Sequence, residues 1–450
     1  MVKRRITSFS GKHVLLLQGP LGPFFARLAR DLEEIGARVS KINFHGGDWV
    51  FYPSRSIQYR GRKEEWLGYL ETFLVERKID AVFMYGDCRP VHEGVREVAE
   101  RVGVEVGVFE AGYIRPNYIT LERSGINAYS ALPRTAEFYR ASSASQIAPP
   151  RPIGNVFWQA ALWAVVYYVM SAALRPMYPH YRHHRSLSVR EAMLWVRGLW
   201  RKCCHHMKER NVRRDLCGKW SGRFFLVPLQ VHYDSQMRTH SDYESVESFI
   251  RSVVQDFAKN AGSNVCLVLK HHPMDRAYRD YTELCVQLEE IHSIKGRLFY
   301  VHELHLPTAF KHCRGIVVVN STVGLSAVLD GVPVKACGRA IYDIPGLTYD
   351  GNLSDFWKGA SSFRPDPELC RKFSAYLISY TQINGSVYKR LDRFASHTGL
   401  LWNGSAEGNG KPLSVQTGGQ QECHMGARLL HGEGIPDEGP IKGANSGSMN

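Results

Sequence analysis

A chain of 450 residues with 44% apolar side chains can bury two or three cores, which excludes a disordered chain or a single small module. Lysine and arginine outnumber the acids 57 to 43, a formal charge of +14, so anionic partners are favoured. No nucleic-acid recognition motif accompanies that charge, which sets nucleic acid aside, and ten scattered cysteines without a CxxC pair exclude a zinc ribbon or a CxxC redox site.

Met1 to Gly11 is basic and lacks the apolar core of a secretory signal, so reduced thiols in a cytosol are expected. His13 to Gln18 (HVLLLQ) reads as a buried strand, followed by the loop Gly19 to Pro23. Phe24 to Val39 has helical spacing, with Phe25, Leu28, Leu32 and Ile35 on one face. Ala81 to Tyr85 is a second strand, Val91 to Val102 a helix, and Val104 to Phe109 a third strand. Strands alternating with helices predict a parallel sheet covered on both faces.

Val156 to Leu174 is a 19-residue apolar stretch with no charge, at the lower edge of the length that spans a bilayer. From Arg175 to Arg214 bases dominate, and Met193, Val196 and Trp200 share a helical face. A spanning helix, a helix lying on an anionic membrane surface and an internal packing helix all fit this stretch. The α/β pattern then restarts, with strands at Phe224–Gln230, Val265–Lys270, Gly315–Asn320 and Val332–Ala336 and a helix at Ser245–Asn260. The expected fold is α/β: two Rossmann-like domains facing a cleft, a GT-B-like arrangement. Its parts are an N-terminal domain (12–150), a basic aromatic helical segment (151–218), a C-terminal domain (219–398) and a disordered Gly/Ser/Asn-rich tail (399–450).

Ligands of open α/β sheets bind at the C-terminal strand ends, which selects the candidate residues. Asp87 ends one strand, with Arg89 close behind; Asp87 is either a helix cap or a base or anchor. Glu110 ends the next, and Arg115, Glu122 and Arg123 follow within fourteen residues. Paired carboxylates suit sugar transfer, and an arginine fork suits a sugar carboxylate; a salt-bridged surface loop is the alternative. In the second half, Lys270, His272 and Pro273 follow a strand, as do Gln230, His232 and Asp234. Asn320, Ser321 and Thr322 open a helix, where free N–H groups either bind an anion or are simply capped. No DxD or other metal motif is present, and neither metal nor cofactor is expected.

Five stretches carry a family resemblance: YGDCRPVH (85–92), EAGYIRPNYITLERSGIN (110–127), VPLQVHYDSQMRTHS (227–241), LKHHPMD (269–275) and NSTVGLSAVLDGVPV (320–334). In this order they resemble the KpsS/LipB-type capsule polysaccharide proteins, a β-Kdo transferase family. The resemblance implies a retaining transfer of Kdo from CMP-Kdo to a phosphatidylglycerol-type lipid. The enzyme would work on the cytoplasmic side of an anionic inner membrane, beside other capsule biosynthesis and export proteins. It further implies that Lys270, His272, Pro273, Asn320, Ser321 and Thr322 hold the CMP group. The catalytic carboxylate falls best on Glu122, where related enzymes often carry Asp, with Glu110 and Asp87 in support. Arg123 is expected to keep Glu122 ionised. A membrane-recruited assembly or export component without catalysis is the competing reading.

Overall fold

The structure is a computed structural model that describes residues 9–142, 147–181, 189–232, 237, 241–391 and 396–400. Asp234 and the tail beyond residue 400 lie outside the described residues.

The first sheet contains β1 (His13–Leu16), β2 (Arg38–Asn43), β3 (Ser56–Gln58), β4 (Ala81–Tyr85), β5 (Glu105–Ala111) and β6 (Tyr118–Arg123). The second contains β7 (Phe224–Pro228), β8 (Cys266–Lys270), β9 (Leu298–Val301), β10 (Gly315–Val318) and β11 (Val334–Ala336). A last strand, β12 (Gln382–Asn384), leaves the second half and joins the first sheet. The orders are β12-β6-β5-β4-β1-β2-β3 and β11-β10-β7-β8-β9. Among the described residues only the β5–β6 and β6–β12 pairings are antiparallel. The chain is therefore two Rossmann-like parallel-sheet units, as expected.

The central strands of both sheets are buried on both faces, which is why they are continuous apolar runs. Along β1, Val14 and Leu16 face one core while Leu15 and Leu17 face the other. Along β7, Phe224 and Leu226 alternate in the same way with Phe225 and Val227. One core runs through both units: Tyr113, Tyr118 and Tyr139 pack in the same cluster as Phe224 and Phe373. Tyr139 and Phe373 rings meet at 5.0 Å, joining helix Ala136–Ala141 to helix Pro367–Thr381, the element that leads back into β12.

Two helices are shorter than their periodicity predicts. The first, Phe24–Glu34, stops because Gly36 turns the chain at φ +87°, and Val39 becomes part of β2. The second, Val95–Arg101, starts late because His92 bonds back to the Gly86 carbonyl (2.5 Å), holding residues 87–94 as a loop over the strand end. The apolar segment forms helix Phe157–Ala173, and the basic one helix Val189–Lys208. Among the described residues no helix is long and apolar enough to cross a membrane.

Helix Phe157–Ala173 is seated on a glycine pair after β2. A Cβ on Gly46 would lie 2.2 Å from the Met170 carbonyl oxygen, and one on Gly47 would lie 2.5 Å from Ser171 Oγ. His45 completes the seat, with Tyr167 OH 2.7 Å from its Nε2 and Ser171 Oγ 3.0 Å from its Nδ1. Beside it Asp48 and Lys41 are buried; burial lowers the Lys41 ammonium to about 8, against the pull of Asp48.

Candidate active site

In each sheet the order reverses beside its first strand, and there the loops of neighbouring strands diverge into a crevice. In the first sheet the reversal lies between β1 and β4. Arg89, after β4, spans it: its Nη1 donates to Gln18 Oε1 at 3.1 Å and to the Gly19 carbonyl at 2.8 Å.

The antiparallel hairpin β5–β6 brings the carboxylates together. Thr120 stands opposite Glu110 and Glu122 opposite Val108, so Glu110 and Glu122 share one face, diagonally adjacent. The Asp87 charge acts on both. Its Oδ2 accepts the Ile126 N–H at 3.0 Å, the partner that holds the loop after β6.

Glu122 is only 6% exposed. Tyr113 OH donates to its Oε1 at 2.6 Å and the Ser130 hydroxyl donates to its Oε2. Each hydroxyl is itself an acceptor, Tyr113 from the Asn127 N–H (3.0 Å) and Ser130 from the Leu132 N–H (3.2 Å), so both hydroxyl protons are aimed at Glu122. Burial pushes the Glu122 carboxyl up to about 7, although the two hydroxyls and Arg134 favour its charged form. Arg134 also ties the halves together: it donates to the Ala340 carbonyl of the second and, at 2.7 Å, to the Asn127 carbonyl of the first. Glu110 is likewise raised, chiefly by burial, against its bond from the Ala111 N–H and the charges of Arg89 and Arg115.

Arg123 does not keep Glu122 ionised. Successive strand residues face opposite ways, and Arg123 instead pairs with Glu105 at 2.8 Å on the far face. Tyr113, Ser130 and Arg134 hold Glu122, and sequence reasoning passed over all three. Tyr113 lay inside a quoted motif, yet nothing in the spacing marks Ser130 or Arg134.

In the second sheet β7 is central, with β8 and β10 on either side, so the loops after these three strands stand in a row. They carry Gln230 and His232, then Lys270, His272 and Pro273, then Asn320, Ser321 and Thr322. Gln230 Nε2 donates to Asn320 Oδ1 at 3.0 Å, bridging two of the loops. His232 bonds through its backbone N–H and its Nδ1 to the buried Asp275 carboxylate, both at 2.6 Å. Pro273 starts the short 3₁₀ turn that places Asp275 there, and His272 caps that turn by accepting the Met274 N–H at 3.2 Å. Ser321 caps helix Thr322–Leu329 through the Val323 N–H (3.3 Å), so at least part of its role is structural. Burial lowers Lys270 to about 8. It lowers His272 to about 4, with help from the charges of Lys270, Arg115 and Arg276. Arg115 therefore acts by its charge on Glu110 in one unit and on His272 in the other.

Among the described residues, His205, Glu209 and His302 come close enough to suggest a metal site. Their geometry favours a structural cluster. Glu209 already accepts the His302 and Glu303 N–H groups at 2.9 Å, and the two imidazoles are stacked at 3.6 Å, so their lone pairs do not converge on one ion.

The fold defines a two-unit α/β protein, each unit built on a Rossmann-like, mostly parallel sheet. The family profile described as "Capsule polysaccharide biosynthesis protein" matches residues 80–388, and this chain belongs to that family. It is 39% identical to the Escherichia coli "Capsule polysaccharide export protein KpsS" over 389 residues, 84% of this chain and 97% of the relative. It is 37% identical to the "Capsule polysaccharide modification protein LipB" of Neisseria meningitidis serogroup B, covering 85% of this chain and 93% of the relative. Among solved structures, the Thermosulfurimonas dismutans protein "KpsC, beta Kdo 2,4 transferase" is 14% identical, with a TM-score of 0.37 over 82% of this chain and 92% of its own.

Proposed function

We propose that the protein transfers Kdo from CMP-Kdo to a phosphatidylglycerol-type lipid, with retention, on the cytoplasmic face of the inner membrane. The observation that supports this reading is the buried carboxylate pair Glu110 and Glu122 on the β5–β6 hairpin, with Arg115 acting on Glu110 and on His272 of the other unit. Lys270, His272 and the helix start at Asn320, Ser321 and Thr322 would hold the CMP phosphate, with Pro273, Gln230 and His232 shaping that loop row. Cations and N–H dipoles can carry the charge of departing CMP without a metal. Arg115 and Arg89 suit the sugar carboxylate or the acceptor.

Retention follows from two displacements. A Glu122 oxygen forms a bond to the anomeric carbon as the bond to the phosphate oxygen breaks and CMP takes the electron pair. The acceptor hydroxyl then attacks the same carbon, the ester bond breaks, and Glu122 regains its charge. The hydroxyl proton goes to Glu110, whose proton affinity burial raises above that of an ordinary carboxylate. Asp87 positions the loop that carries Ser130 through its bond to the Ile126 N–H.

The test is to incubate purified protein with CMP-Kdo and a fluorescent lysophospholipid and look for a product heavier by one Kdo. The same assay with other CMP-linked sugar acids fixes the donor. CMP binding without transfer to any lipid would overturn the reading in favour of a non-catalytic assembly component.

A further inference from the structure

A cavity of about 710 Å³ adjoins the site and shares Gln18 and Arg89 with it. Tyr85 and Arg89 line its inner end, and Arg89 is also one of the two arginines whose charges act on Glu110. Arg60, Arg62 and Lys63, all exposed on the loop after β3, give one wall a net positive charge beside Glu64, with Lys63 also paired to Glu93 at 3.0 Å. Tyr59, Trp66 and Tyr178 supply an aromatic one.

Tyr167 and Tyr168 bring helix Phe157–Ala173 into the same lining. The opposite side of that helix carries Trp158, Leu162, Val165 and Val169, spaced as one stripe and all exposed, Trp158 by 76%. The helix is one-sided, because its inner face is fixed on Gly46 and Gly47.

A second stripe, Met193, Val196, Trp200 and Met207, is exposed on helix Val189–Lys208. This helix packs through Gly198 against Ala277 and through Arg201 onto Asp280 (2.6 Å). Those partners lie just beyond Met274, which lines the cavity from the second unit. Exposed Arg175, Arg197, Lys202 and Lys208 accompany the two stripes. An aromatic and cationic cavity flanked by two apolar, base-rimmed stripes matches one kind of ligand: a phosphate headgroup whose tails remain in a bilayer.

We propose that this cavity is the acceptor port. It takes the phosphate-bearing headgroup of an anionic lipid, gripped by Arg60, Arg62 and Lys63, while the two stripes lie in the membrane interface. The headgroup hydroxyl is thereby delivered at the Arg89 end, toward Glu110. This inference rests on the transferase reading, but its test needs no turnover.

Binding of a short-chain lysophosphatidylglycerol below its micelle concentration is measured by calorimetry in the absence of donor. The full chain carrying Arg60→Gln, Arg62→Gln and Lys63→Gln is expected to bind it at least about tenfold more weakly, with CMP affinity retained. Inorganic phosphate is expected to bind wild type at least about tenfold more weakly than the lysolipid. Unchanged lysolipid binding by the triple variant, or phosphate binding as tight as lysolipid binding, overturns the port. In a separate arm, vesicles containing phosphatidylglycerol are sedimented with wild type and with Trp158→Ser, Leu162→Ser, Val169→Ser. The wild type should bind and release with salt, and the stripe variant should lose about tenfold in binding while melting normally. Equal binding by the stripe variant, or tight wild-type binding to neutral vesicles in high salt, overturns the interfacial placement. If the port binds lysolipid as described and no sugar is ever transferred, the transferase reading fails alone.

Discussion

Replacing Glu122 by Gln tests the carboxylate cluster through stability as well as rate. The native carboxyl is raised to about 7 from its ordinary 4.5. Between those values the folded protein keeps a proton that the unfolded chain releases, so its stability falls as pH rises through the window and levels off above it. The shift is worth about 3 kcal/mol, at roughly 1.4 kcal/mol per pH unit. Gln cannot titrate, so the fall disappears in the variant. Its amide does face two hydroxyls already committed as donors, which costs about 1–3 kcal/mol at every pH. Wild type should therefore be the more stable at pH 5, and its advantage should shrink or reverse by pH 8. Urea unfolding at pH 5, 6, 7 and 8 reads this directly. In the transfer assay Glu122→Gln should lose at least ~10³ in kcat with CMP affinity nearly unchanged. Parallel stability curves for the two proteins, or a variant that turns over normally, would refute the assignment of Glu122 as a buried, titrating catalytic group.

Three further outcomes follow from particular contacts. Gly46→Ala forces a methyl to 2.2 Å from the Met170 carbonyl, so it should cost about 3 kcal/mol, lower Tm and open residues 157–173 to protease; an unchanged melt would mean the seat is not rigid. Arg123→Ala should leave transfer within about threefold, since its pair with Glu105 is half-exposed and worth ~0–1 kcal/mol, whereas Arg89→Ala should lose at least about a hundredfold; the reverse ranking would restore Arg123 to the site. CMP affinity should weaken as pH rises past about 8, where Lys270 loses its proton, and Lys270→Met should bind about tenfold more weakly with that pH dependence gone, as calorimetry would show.

The central parallel strands were legible because burial on two faces writes them as unbroken apolar runs, as in His13–Leu16 and Cys266–Lys270, whereas β2, β3 and β9, toward the sheet edges, were not read. β6 was not, because Tyr118–Arg123 mixes Thr, Glu and Arg into an antiparallel strand whose polar face is the site. β12 is three residues long and owes its pairing to tertiary contact alone. At the site, Asp87, Glu110 and Glu122 could be picked out near strand ends, but the partners of Glu122 depend on which face each residue takes. A window that ignores the two-residue period put Arg123 beside Glu122, and the strand puts it behind. The cavity was illegible for a related reason: its walls come from residues 59–66, 85–91, 167–181 and Met274, joined only by the fold.

The distribution of charge carries a further consequence. Among the residues assigned to the crevice, the carboxylates come from the first unit and the imidazoles and Lys270 from the second, and Arg115 acts on Glu110 and His272 together. Empty, the crevice holds Glu110 and Glu122 raised and Lys270 and His272 lowered, each toward its neutral form by burial. Under the proposed function, a nucleotide phosphate entering beside Lys270 and His272 would reverse the second pair, because a nearby negative charge favours their protonated forms. The same phosphate draws on Arg115, whose charge is then shared between donor and Glu110 and supports an ionised Glu110 less. On the proposed reading, donor binding would thus take up protons on the side of Lys270 and His272.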